Sequence, residues 1–276
     1  MSRRDGWTWR TGDRKASSEL RLLYEPGGFG DVLKGLVMVE LCAATLEDGP
    51  VRVADPFAGA LSYPLVGRAR ACLETSAGIG QFEALQRAAG GRLASTTALL
   101  VHAFPKRLEA TVFDADAERR ATWSAVDGAR VLDVESGWDA LSPGVLGVQD
   151  VVLVDPYDLT RSPEWPGAAP GLRALRGSGA HLLFYVYNRA PQSAGELAAY
   201  RRFRDRFAAA VGPADFVGRV PSDALLARAW HEVVLVAGKP LAPGLVERLT
   251  ELTERLAWAI LRSGVTERAD TRAGPG

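Results

Sequence analysis

One repeated alternation constrains this chain more than any other feature. Short apolar runs, rich in Val, Leu and Phe and bounded by Gly, Pro or Asp, take turns with helix-length segments. The runs at Val51–Asp55, Ala110–Asp114, Arg130–Val134, Val151–Asp155, His181–Tyr187 and Val233–Ala237 read as buried strands, with Asp215–Val220 a weaker seventh. Asp31–Leu46, Thr96–Phe104, Ala117–Val126, Ala194–Val211 and Pro243–Leu261 read as helices. In the last of these, Leu245, Leu249, Leu252 and Leu256 recur at spacings of three and four. Strands alternating with helices form βαβ units around a parallel sheet. The expectation is an α/β, Rossmann-like fold with a mostly parallel, seven-stranded sheet.

The stretch between the first two strands is too long for one crossover. Residues 62–94 therefore read as a small helical insert, with an extra helix over Gln81–Ala89. The polar first twenty residues and the segment 264–276, ending Thr-Arg-Ala-Gly-Pro-Gly, read as flexible ends. The folded domain is then 21–263.

Composition removes several function classes. Lys+Arg and Asp+Glu both count 33, so the formal net charge is zero. A nucleic-acid enzyme usually carries a basic surplus, because neutralised phosphates supply much of its affinity. The two cysteines, Cys42 and Cys72, read as core thiols, and the three histidines lack ligand spacing. No metal is expected. No apolar run is long enough for a membrane span and the N-terminus does not read as a signal peptide, so a cytoplasmic location is expected.

A parallel sheet binds ligands at the carboxyl ends of its strands. Asp55, Asp114, Glu135 and Asp155 all stand at or next to such ends. The first strand runs into Asp55-Pro56-Phe57-Ala58-Gly59-Ala60-Leu61. Gly59 permits close approach of a ligand to the backbone, Phe57 supplies an apolar wall, and Asp55 can accept hydrogen bonds from a cationic amine. The fourth strand runs into Asp155-Pro156-Tyr157-Asp158. An acid and a carbonyl there can hold an amine with its lone pair aimed, while the aromatic ring stacks on a base. The alternative is that Asp155 and Asp158 cap the next segment. Upstream, Tyr24-Glu25-Pro26-Gly27-Gly28-Phe29-Gly30-Asp31-Val32-Leu33-Lys34 leads into a helix, with Asp31 as its candidate N-cap. Lys34 is either a solvated surface lysine or the partner of a carboxylate.

Together these elements resemble the large-subunit ribosomal RNA adenine-N6 methyltransferase J (RlmJ-like) family, within the class I methyltransferases that use S-adenosylmethionine (SAM). The resemblance runs from about Tyr24 to Ala237 and lies in motif order and spacing. The Asp31-Val32-Leu33-Lys34 core is kept. The family's Asp-Thr-His-Ala-Gly-Ala-Gly matches Asp55 through Leu61, with Phe57 for His and Leu61 for Gly. Its serine before strand two matches Ser95, and its ribose-binding acid matches Asp114. Its Ala-Asp-Gly matches Glu135-Ser136-Gly137, with the acid displaced by one residue. Its catalytic Asp-Pro-Pro-Tyr matches Asp155-Pro156-Tyr157, one proline short.

The resemblance implies that Lys34, Asp55, Phe57, Gly59, Ser95, Asp114, Glu135, Ser136 and Gly137 serve SAM. It implies that Asp155, Pro156 and Tyr157 present an adenine amine. For the acceptor, RNA and a small molecule both stand. A basic groove around Arg68, Arg70, Arg201, Arg202, Arg204 and Arg206 would favour RNA. A non-catalytic SAM-binding relative is the third reading. The Gly-x-Gly-x-x-Gly turn of a nicotinamide dehydrogenase is absent. Trp123 and Trp138 are expected near the pocket rim, Tyr185, Tyr187 and Asn188 on the acceptor side, and the Pro-rich Ser162–Pro170 stretch as a lid.

Overall fold

The computed structural model describes residues 27–46, 49–65, 69–70, 73, 80–82, 86, 92–156, 159, 164–189, 194–222 and 229–272. In chain order the elements are α1 (Phe29–Thr45), β1 (Val51–Asp55), β2 (Ser62–Tyr63), β3 (Leu93–Ala94), α2 (Thr96–Ala103), β4 (Leu108–Val112) and α3 (Ala117–Ser124). Then come β5 (Ala129–Val131), α4 (Gly137–Ala140), α5 (Pro143–Leu146), β6 (Val151–Val154), α6 (Trp165–Gly177) and β7 (His181–Arg189). Last are α7 (Ala194–Val211), β8 (Phe216–Pro221), β9 (Ala229–Val236) and α8 (Leu245–Arg272).

The expected Rossmann-like, mostly parallel sheet forms. Its seven strands lie in the order β5-β4-β1-β6-β7-β9-β8. All neighbours pair in parallel except β9, which is antiparallel to both β7 and β8. The chain steps outward from β1 through β4 to β5, then returns to β6 on the other side of β1. That reversal opens a crevice above the carboxyl ends of β1 and β6, where open α/β sheets bind ligands.

Two apolar layers flank the sheet. One joins α1, α2 and α8 to the sheet face carrying Leu183, Tyr185, Val233 and Leu235. The other joins α6 and α7 to the face carrying Val152, Val154, Phe184 and Val234. α1 is buried nearly all round (Val32, Leu33, Leu36, Val37, Val39 and Leu41 among others), which suits a helix covered on both sides. Its buried Glu40 is matched by Arg248 of α8 at 2.6 Å and by the Gln81 N–H at 3.0 Å. Cys42 is a buried free thiol, as expected of a core cysteine. Cys72 lies outside the described residues.

The insert is closed by an antiparallel pair, Ser62 opposite Ala94 and Tyr63 opposite Leu93. Much of its expected helix lies outside the described residues. Two expectations change. From Trp165 onward the Pro-rich stretch is not lid but the start of α6, which buries Trp165, Ala168, Ala169, Leu172 and Leu175. Pro166 falls in the first turn, where its missing N–H would have had no helical partner. The last helix also continues past Leu261 to Arg272, into the segment expected as a tail. No proline interrupts Arg262–Arg272, and Glu, Arg and Ala there favour helix.

Candidate active site

The crevice is organised by a buried lysine. Lys34 lies one turn into α1 with its side chain only 7% exposed, so its reading as a solvated surface lysine does not hold. The ammonium pairs with Oδ2 of Asp155, just past β6, and with Oδ1 of Asp31 at 2.7 Å. It stands 4.8 Å from the Tyr185 ring centroid, a cation–π contact. Burial by itself lowers a lysine pKa. Here the fields of Asp155 and Asp31 outweigh it and hold Lys34 well above the ordinary lysine value.

Asp31 was expected as the N-cap of α1, but the N-cap is Gly28, which makes no side-chain cap bond. Asp31 sits inside the first turn, accepting the Gly27 N–H at 2.7 Å on one oxygen and pairing with Lys34 through the other.

Asp55 ends β1 beside this group. Its Oδ2 accepts from the Thr97 hydroxyl at 2.7 Å and its Oδ1 from the Phe57 N–H at 3.2 Å. Burial raises its pKa to about 6; the Thr97 bond opposes that shift, and the nearby Asp155 adds to it. Such a carboxylate is short of a counter-cation. On β9, His231 is the opposite case. Its Nδ1 lies 2.6 Å from the Tyr185 hydroxyl, and burial lowers its pKa to about 4.

These two groups titrate in the same window with opposite sign. Asp55 has a folded pKa above the free carboxylate value, so its contribution to stability is complete below about pH 4 and is lost as pH rises through 6. His231 has a folded pKa below the free value, so its contribution is complete above about pH 6.5 and is lost as pH falls through 4. Each contribution is on the order of 3 kcal/mol, and in the native chain they offset. Asp55→Asn removes one side of the balance. Urea denaturation of that variant should show a stability deficit against wild type that grows by roughly 3 kcal/mol between pH 7 and pH 4. Parallel pH profiles would refute the assignment.

The loop after β1 continues the wall. Gly59 has φ +65°, a left-handed conformation that favours glycine, and its carbonyl accepts from Trp123 Nε1 at 2.9 Å. Trp123 is thus buried beneath the loop, not at the rim. Phe57 meets Trp138 edge-on at 5.2 Å between ring centroids. Gly137 is packed so closely that a Cβ there would strike the Pro56 carbonyl oxygen. The β1 and β5 loops therefore form one joined surface.

Asp114, two residues past β4, is the third strand-end acid. Oδ1 accepts from the Asp116 N–H at 2.7 Å and pairs with Arg119 at 2.8 Å. Ser95 caps α2, accepting from the Ala98 N–H, and so sets the turn from which Thr97 reaches Asp55. Ser136 caps α4 and bonds Asp139 at 2.6 Å. Glu135 is exposed next to it. Pro156 follows Asp155 half-buried, while Tyr157 and Asp158 lie outside the described residues.

Lys34, Asp55, Gly59 and Asp155 thus gather at the switch point, with Asp114 one strand over. Phe57 and Gly137 line the same crevice, and Ser95 and Ser136 shape its turns. Sequence reasoning missed Thr97, Arg119, His231 and the ionic role of Asp31. Only the last left a readable signal, the i, i+3 spacing of Asp31 and Lys34. Among the described residues, no group of three or more His, Cys, Asp or Glu could hold a metal ion, and no helix is long and apolar enough to cross a membrane.

No family model and no curated protein matches the chain. Among solved structures it is similar to protein LPL1258 from Legionella pneumophila, assigned to family DUF519. The TM-score is 0.62 at 11% identity, over 84% of this chain and 94% of that one. It is less similar to a probable spermidine synthase from Corynebacterium glutamicum, with TM-score 0.47, 10% identity and 81% and 70% coverage. Human methyltransferase-like protein 13 in complex with SAH gives TM-score 0.41, 14% identity and 82% and 89% coverage. At these identities the likeness is one of fold.

Proposed function

We propose that this chain is a SAM-dependent methyltransferase whose acceptor is an amine nitrogen. The observation that carries the reading is Asp155. It is a buried carboxylate at the carboxyl end of β6, matched by Lys34, in the crevice that also holds Asp55. The crevice suits the cofactor's charges. Asp55 needs a cation, which an ammonium or sulfonium supplies. Asp114 stands where dinucleotide enzymes place their ribose-binding acid. Phe57, Trp138 and Gly137 form an apolar, closely packed wall for a flat ring.

The cofactor supplies an electrophilic methyl group on sulfur. Asp155 accepts a hydrogen bond from the acceptor N–H, the Pro156 carbonyl takes a second, and the nitrogen lone pair is left aimed at the methyl carbon. By family resemblance the acceptor is the N6 amine of an adenine in RNA, with Tyr157 stacking on the base. One observation favours a small-molecule acceptor instead. Arg204, part of the suspected basic groove, is held with Arg219 against the fully buried Glu232, which leaves less free positive charge for a phosphate backbone.

Calorimetric titration with SAM and with S-adenosylhomocysteine tests the cofactor. Micromolar binding is expected, weakened about tenfold or more (about 1.4 kcal/mol) by Asp114→Ala. Absence of binding by either ligand would overturn the reading. Transfer of labelled methyl to unmodified ribosomal RNA, or to a small-molecule fraction, separates the two acceptors.

A further inference from the structure

A left-handed glycine beside a ligand crevice usually clears backbone for the ligand. At Gly59 the clearance is filled by the chain itself. A Cβ on Gly59 would collide with the Tyr63 hydroxyl oxygen. The same oxygen accepts the Ala60 N–H at 3.2 Å. The phenol is half-buried against the β1 loop. Burial raises its pKa first, Asp31 and Asp155 raise it further, and Lys34 opposes them. On the other side it acts on Arg119, the partner of Asp114. One hydroxyl is therefore within electrostatic reach of both the Lys34–Asp155 pair and the Asp114–Arg119 pair. Tyr63 belongs to β2, the first strand of the insert, which β3 holds in place.

We propose that Tyr63 is an internal stand-in for the bound ligand. Its phenol oxygen holds the Ala60 N–H and the space over Gly59 that a ligand oxygen takes when the crevice fills. The ligand class is a molecule carrying a carboxylate or hydroxyl beside a cationic group, as in the amino-acid part of SAM. This assignment rests on the cofactor reading above. A hydroxyl and a ligand oxygen cannot share one amide at the point of closest backbone approach, so one must leave. A carboxylate makes the stronger, charge-assisted bond. The phenol then turns away from the Ala60 amide. Tyr63 is thereby part of the ligand site, and apparent affinity is the intrinsic affinity reduced by the fraction of molecules with Tyr63 withdrawn.

The test combines two readouts on the full chain. Hydrogen exchange at the Ala60 amide, without ligand, should be faster in Tyr63→Phe and Tyr63→Ala than in wild type. S-adenosylhomocysteine should bind both variants more tightly, by roughly three- to tenfold. Tyr63→Phe keeps the ring and guards against a packing defect in Tyr63→Ala. Unchanged or weaker binding in both variants overturns the stand-in role and leaves the cofactor reading intact. Unchanged Ala60 exchange also overturns it, whatever the ligand does. No binding by any of the three proteins overturns both readings.

Discussion

Lys34→Met should destabilise the fold by about 3–5 kcal/mol at pH 7, the range seen when one partner of a buried ion pair is removed. Methionine keeps the length and apolar stem of lysine, so packing changes little. What changes is charge. Lys34 is a cation set among Asp31, Asp155 and, further off, Asp55. Without it, these acids face one another in a buried site. Asp55, whose pKa burial and Asp155 already raise, would lose the opposing field of Lys34 and rise further, so part of the cost would be met by taking up a proton. The sign of the pH dependence follows. A carboxylate whose folded pKa exceeds its unfolded value destabilises the fold above that pKa and ceases to do so as pH falls through it. The deficit of Lys34→Met should therefore shrink between pH 7 and pH 5 in urea melts. Asp155→Asn should cost less than Lys34→Met, because Lys34 keeps Asp31 at 2.7 Å. The double variant should recover part of the single lysine loss, a coupling that a double-mutant cycle measures. A Lys34→Met deficit below about 1 kcal/mol, unmoved by pH, would show that the cluster is solvated in solution.

This asymmetry explains which parts of the molecule could be read from its residues. The sheet was legible because each strand is a local signal. Val151–Val154 is four apolar residues between turns, and its burial follows from covering the strand on both faces. α6 was not legible, since Pro166 and Pro170 read locally as loop. Only the packing of Trp165, Leu172 and Leu175 against Phe184 and Phe207 makes it a helix. The site divides the same way. Asp55, Asp114 and Asp155 were legible as candidates because ligand sites follow strand ends, a rule of topology that sequence can apply. The Lys34–Asp155 pair joins residues 121 positions apart. It exists because the strand order sets β6 beside β7 while α1 packs over β7 and β9, within reach of the end of β6. His231 was hidden similarly, on the antiparallel strand β9. Charges at strand ends announce themselves, while their partners arrive from elements whose placement is a property of the whole sheet.

Asp155→Ala should lower methyl transfer by about 10²-fold or more while leaving SAM affinity within roughly twofold of wild type. The separation follows from where the residue stands. Asp55, Asp114, Phe57 and Gly137 lie on β1, β4 and β5 or their loops, whereas Asp155 follows β6 and faces the lysine of α1. Loss of its carboxylate takes an acceptor from the reacting nitrogen and none from the adenosyl side. Asp155→Asn sharpens the point. The amide keeps the shape and a carbonyl acceptor but loses the charge that pairs Lys34. If hydrogen bonding to the amine is what matters, Asp155→Asn should retain more turnover than Asp155→Ala. If Asp155 must also take up the proton released from the acceptor, both variants fall equally and the pH–rate profile of Asp155→Asn loses its acidic limb. Single-turnover rates at saturating SAM distinguish these outcomes from a binding defect. Turnover at the wild-type rate in Asp155→Ala would remove the residue from the chemistry. The Lys34–Asp155 pair would then be a structural clamp between α1 and the sheet, and the acceptor would have to be sought on another wall of the crevice.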